Sequence, residues 1–162
     1  MRTAAYLLVG AMVLPAMVNS QPAAQDHKKS SGIELFPPDA IKWQQGPASL
    51  PKGALIAVLE GNPAKEGPFV FRLKLPDGYQ VPPHTHPKTE RVTVISGTFN
   101  IGMGDKFDAK STKPMPAGTY GYWKEGMAHF VWTKGETVLQ FHGMGPWSIQ
   151  YLNPRDDPRN QK

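Results

Sequence analysis

Cysteine is absent from the chain. That excludes disulfides, thiolate metal sites, cysteine nucleophiles and a lipid-modified N-terminal cysteine. Long apolar runs are also missing. The one near the start, residues 4–18, falls short of the ~20 apolar residues that a membrane span needs. No twin-arginine pair precedes it, so the general secretion route is expected. Clustered charge is scarce too. The net charge is +5, yet only Lys28 and Lys29 are adjacent, and the other lysines stand singly. Without a basic stripe or basic helix the charge reads as a solvated surface, and no nucleic-acid partner is expected. No long helical period appears anywhere.

What the chain does have is punctuation. Seventeen prolines and sixteen glycines break its 162 residues into short segments. That favours many short strands over long helices. Arg2, the apolar residues 4–18 and small residues at Val18 and Ser20 read as a signal peptide over residues 1–20. Residues 21–35 read as a flexible leader containing His27, and residues 155–162 as a loose polar tail. Between them, residues 36–154 form a single domain with no repeat and no linker. The expected location is periplasmic or secreted, with no stable membrane anchor after cleavage.

Alternation with a period of two is clearest at residues 69–75, where Phe69, Phe71, Leu73 and Leu75 share one facing. Further strands are expected at 54–60, 91–96, 98–103, 119–123, 129–133, 137–142 and 147–152. Gly97 and the triplet Lys134, Gly135, Glu136 read as turns between them, and residues 104–115 as a polar loop. Pro38 and Asp39 can start a helical turn, with Ile41 and Trp43 anchoring it. Eight to ten short strands argue an all-β sandwich or barrel.

The chemistry concentrates in residues 78–97. His84 and His86 stand two apart and would share one face of an extended strand. Glu90 follows four residues later, beyond a short turn at Pro87, Lys88 and Thr89. Two imidazoles and a carboxylate at one point are natural ligands for a divalent transition metal. His129 opens a later strand, which in a barrel can lie beside an early one. It would complete a site of three histidines and one glutamate, leaving two positions on an octahedral ion for water or substrate. Such mixed ligation suits zinc, manganese, iron, nickel or copper. Loading outside the cytoplasm puts zinc first.

The spacing from Gly78 through His84, His86 and Glu90 to Gly97 resembles the first motif of the cupin superfamily in full. Pro116, Ala117 and Gly118 resemble part of its second motif, and His129 resembles its histidine, although ten residues separate Gly118 from His129. The resemblance covers roughly residues 50–151 and implies a double-stranded β-helix, or jelly-roll barrel, with metal inside its open end. It also allows a homodimer through exposed sheet faces. Cupins include dioxygenases, isomerases, epimerases, decarboxylases, lyases and non-catalytic binding proteins, so the fold selects no reaction.

Two functional classes follow. One is a metal-dependent oxidoreductase, isomerase or lyase acting on a small organic molecule. The other is a sensor or storage module that holds a metal or small ligand. Gln140 and His142 separate them. Pointing inward, they could serve as donors or a general base beside the metal; otherwise His142 simply ends a strand. Val131 and Thr133 share the facing of His129, while Phe130 and Trp132 face away. Arg72 reads as a solvated exterior residue.

Overall fold

The computed structural model describes residues 32–161. The expected signal peptide, and nearly all of the leader, lie outside the described residues. Residues 35–162 form one compact unit.

Nine strands build it. They are β1 (Gln44–Gln45), β2 (Leu55–Gly61), β3 (Gly67–Leu75), β4 (Gln80–Thr85), β5 (Glu90–Met103), β6 (Lys113–Pro116), β7 (Tyr120–Trp123), β8 (His129–Gly145) and β9 (Gln150–Tyr151). Among the described residues the only helices are three single 3₁₀ turns, the first at Pro38–Ala40 where the sequence anticipates one. All pairings are antiparallel, and the strands curl into one jelly-roll sheet running β1-β2-β3-β8-β4-β9, with β5 joining β8 to β6 and β7. The expected all-β jelly-roll architecture is therefore what the chain adopts.

Two long strands depart from the sequence reading. Residues 91–96 and 98–103 are one strand, β5, and residues 129–133 and 137–142 are one strand, β8. The supposed turns are bends within them. Gly97 (φ +75°) and Gly135 (φ +74°) adopt the left-handed conformation that glycine accommodates without steric cost. The pairing slips on either side of Ser96 and resumes at Thr98 opposite Lys134. An extra residue at that point sharpens the local twist, so the paired strands turn a barrel corner without parting. The supposed polar loop also contributes a strand: β6 pairs with β5 and buries Met115.

The interior follows the period of two. Phe69, Phe71, Leu73 and Leu75 of β3 are buried, with Leu139 and Phe141 of β8 beside them. Phe71 and Phe141 stack at 4.9 Å between ring centres. Burying each such side chain is worth about 1.5–3 kcal/mol. Phe130 faces away from His129 yet is fully buried, because Phe107 of the 104–112 segment covers it at 5.2 Å and Gly102 leaves room for its ring.

Candidate metal centre

Strand pairing assembles the four residues that the sequence singles out. Pro82 and Pro83 lack amide hydrogens, and β4 slips its register against β8 between Val81 and His84. Beyond that slip His84 sits directly opposite His129, the first residue of β8. His86 follows just past the end of β4, where its carbonyl accepts from the Gly126 amide at 2.9 Å. Glu90 opens β5 opposite Trp123. All four side chains are buried, and their ligand atoms lie within 4.8 Å of one another. The ring centres of His84 and His129 are 4.1 Å apart, and those of His84 and His86 are 4.9 Å apart.

The tautomers follow from the outer hydrogen bonds. His84 Nδ1 lies 2.7 Å from the Pro82 carbonyl, His86 Nδ1 2.7 Å from that of Ser148, and His129 Nδ1 3.0 Å from that of Met127. A carbonyl only accepts, so each Nδ1 carries the proton and donates it. Each Nε2 is then a lone pair available to the cluster. This is the outer arrangement that orients metal-binding imidazoles.

The electrostatics leave one atom unsatisfied. His86 Nε2 is buried without a hydrogen-bond partner, although Glu90 Oε2 lies 2.8 Å away. In the neutral ring a lone pair would face a carboxylate oxygen, and a shared cation, either a metal ion or a proton on Nε2, reconciles the two. Burial pushes the Glu90 carboxyl upward, but His86 and His129 more than offset this and hold it well below the usual carboxylate range. Burial first, and then the neighbouring His129 and His86, lower His84 to about 3. The residues thus fit a divalent cation: three imidazole nitrogens and one carboxylate, with an orphaned lone pair among them.

The sequence reading missed the supports. The Trp123 indole donates to Glu90 Oε2 at 2.8 Å, and its Nε1 lies 3.1 Å from His129 Nε2. Trp147 stacks on His86 with ring centres 4.3 Å apart and planes 12° from parallel. Both tryptophans sit in segments expected to be strands, but their partners lie elsewhere along the chain. Gln140 and His142 do not join the cluster. They lie on the outer face of β8, where Arg72 donates to Gln140 at 3.1 Å and Tyr120 stacks against His142. The inward residues there are Leu139 and Phe141. Tyr120 and Tyr122 are exposed, so they line neither core nor cavity.

Beside the cluster lies a cavity of about 270 Å³, whose walls include Phe71, Leu73, Val81, Val131, Leu139 and Phe141. Pro47, Ala64, Ser148 and Arg159 border it and are exposed, so it reaches solvent past them. Arg159 belongs to the segment read as a loose tail. Its guanidinium pairs with Asp157 at 2.7 Å and reaches the Ile149 carbonyl at 3.3 Å.

A sequence profile of the ChrR cupin-like domain matches residues 33–148. Germin-like protein 3-1 of Oryza sativa subsp. japonica is 30% identical over 133 residues, which span 80% of this chain and 58% of that one. Germin-like protein 5-1 of the same plant is matched over only 33% of its length. Among solved structures, the polyketide cyclase RemF from Streptomyces resistomycificus superposes with a TM-score of 0.61 at 14% identity, covering 78% of this chain and 90% of that one. An RmlC-like cupin from Shewanella frigidimarina gives 0.53 at 12% identity, covering 71% and 91%. At such identities these structures share the fold alone.

Proposed function

Because the chain belongs to the ChrR cupin-like domain family, we propose that it holds a divalent transition metal and acts on a small organic molecule. His84, His86 and His129 would bind through Nε2, and Glu90 through its carboxylate. The carrying observation is the convergence of three buried imidazoles and one buried carboxylate, with ligand atoms within 4.8 Å of one another and His86 Nε2 2.8 Å from Glu90 Oε2. A bound metal would supply Lewis acidity beside the cavity, and redox chemistry if the ion is iron, manganese or copper.

The chain's own residues define the rest. The three carbonyls that accept from Nδ1 fix the imidazole orientations. Trp123 holds Glu90 Oε2 by its indole N–H. The apolar walls exclude water and hold the organic part of the substrate. Gln140 and His142 face outward, so neither is placed to take a proton from a bound molecule. That outward facing favours a second reading, a non-catalytic module that holds a ligand for sensing or storage. The open cavity favours turnover.

The deciding experiment is metal analysis of protein purified without chelator, beside Glu90→Ala and His129→Ala variants, followed by a substrate screen. Near-stoichiometric metal, lost in both variants, supports the site. Metal retained in His129→Ala removes that ligand from the set. We also propose export, on the leader reading, and zinc as the resident ion. Mainly iron in protein taken from its native envelope would overturn zinc, and a cytoplasmic fraction holding the mature chain would overturn export.

A further inference from the structure

We infer that the cavity takes an aryl or alkyl compound with a single oxygen-bearing end, and rejects polyols and sugars. This rests on the metal-centre reading for the polar end alone. The body of the ligand is argued from the walls.

The walls offer almost nothing to a hydroxyl group. Phe71, Phe141 and Trp147 form one side, with ring centres 4.9–6.1 Å apart. Leu73, Val131 and Leu139 continue it. Tyr79 is the one phenol on the wall, and its hydroxyl is spent on the Pro51 carbonyl. Arg159, at the mouth, gives Nε and Nη2 to Asp157 and the Ile149 carbonyl, which leaves Nη1. Apart from Arg159 Nη1, the polar atoms free to face a ligand therefore gather mainly at one place, the cluster of His84, His86, Glu90 and His129. Ser49 and Ser148 are the remaining polar lining residues.

A polyol entering such a space loses water from every hydroxyl and regains a partner for one or two. Each uncompensated hydroxyl lowers affinity about tenfold or more. An aromatic body loses nothing polar and gains contact with the walls. Size can be set by comparison. An apolar cavity of about 150 Å³ holds benzene. A volume of about 270 Å³ therefore suits a body of two fused rings, or an alkyl chain of similar bulk.

The matched probes are 2-naphthoate and D-gluconate. Each carries one carboxylate and the same number of non-hydrogen atoms, and they differ in the body alone. Binding is measured by calorimetry on zinc-loaded and metal-free protein, with zinc content measured separately. The expected result is naphthoate binding at least tenfold tighter than gluconate on the loaded protein, with weaker but measurable naphthoate binding on the metal-free protein. Leu73→Phe places a ring in the cavity from β3, a strand that carries none of the four ligands. It should weaken naphthoate at least tenfold while zinc content stays at the wild-type level. Leu139→Phe serves the same purpose if the first variant folds poorly. Gluconate binding as tightly as naphthoate overturns the inference, and so does naphthoate affinity unmoved in a folded filling variant. Zinc bound without naphthoate binding overturns it while sparing the metal centre. Naphthoate bound by a protein that takes no zinc overturns the metal centre while supporting the cavity.

Discussion

Trp123 lies directly across from Glu90 in the β5–β7 pair, and its indole N–H donates to Glu90 Oε2 at 2.8 Å. The same nitrogen is 3.1 Å from His129 Nε2, so one donor touches two members of the cluster. Trp123→Phe keeps most of the ring and removes the donor. The expected outcome is a metal affinity about 10–100-fold weaker, read by competition with a chromophoric chelator. Stability should fall by only about 1–3 kcal/mol in chemical denaturation. Unchanged affinity would mean that the indole merely fills space.

Metal removal should lower stability in a way that depends on the ligands. A metal present at 100 times its dissociation constant stabilises the folded state by about 2.7 kcal/mol. For a domain of this size that is several degrees, on the order of 10 °C, in Tm. Chelator should produce this shift in the wild type and none in Glu90→Gln, which keeps the shape and loses the charge. An equal shift in both proteins would place the stabilising ion elsewhere.

Acid should destabilise the metal-free protein earlier than its carboxylates alone would. His84 is lowered to about 3 in the folded state, from 6.5, chiefly by burial. The unfolded chain then binds more protons than the folded chain between those values. Stability is therefore full above about pH 6.5 and declines as pH falls towards 3. Glu90, also lowered, adds to the loss below its ordinary range. The decline should total on the order of a few kcal/mol. Urea unfolding of metal-free protein at several pH values measures it. A His84→Gln variant should show a shallower slope between pH 6.5 and 5, and an unchanged slope there would assign the effect to other groups.

The two bend glycines should respond differently to alanine. At Gly97 an added Cβ would strike the Glu136 carbonyl and Thr137, while at Gly135 it would meet nothing within 4 Å. Both have positive φ, so both carry a backbone penalty of roughly 1–2 kcal/mol. Only Gly97→Ala adds a collision with backbone. It should cost at least about 3 kcal/mol or prevent folding, whereas Gly135→Ala stays near the backbone penalty. Equal losses in urea unfolding would show that the corner yields as readily at both strands.

The ligand set was legible in the sequence because its spacing is local. His84 and His86 share a face across one residue, and Glu90 re-enters one short turn later. His129 needed the fold, since its place opposite His84 comes from strand pairing. Facing along residues 137–142 was left open for a related reason. A lysine–glycine–glutamate triplet looks the same whether it ends a strand or bends one. Taken as an end, it freed residues 137–142 to face either way. Taken as a bend, it preserves the alternation, and Thr137, Leu139 and Phe141 continue the inward series of His129, Val131 and Thr133. Trp123 and Trp147 left no local signal. Each acts on a residue far along the chain, one through a strand pair and the other through a stacked ring.

The three imidazoles take their aim from main-chain carbonyls at Pro82, Met127 and Ser148. A carbonyl is present whatever side chain its residue carries. Mutational drift at positions 127 and 148 can therefore proceed without turning the rings, provided the backbone path holds. The aiming apparatus of this centre is written in chain geometry rather than in residue identity. A distant descendant could keep the same centre with none of the same neighbours around it.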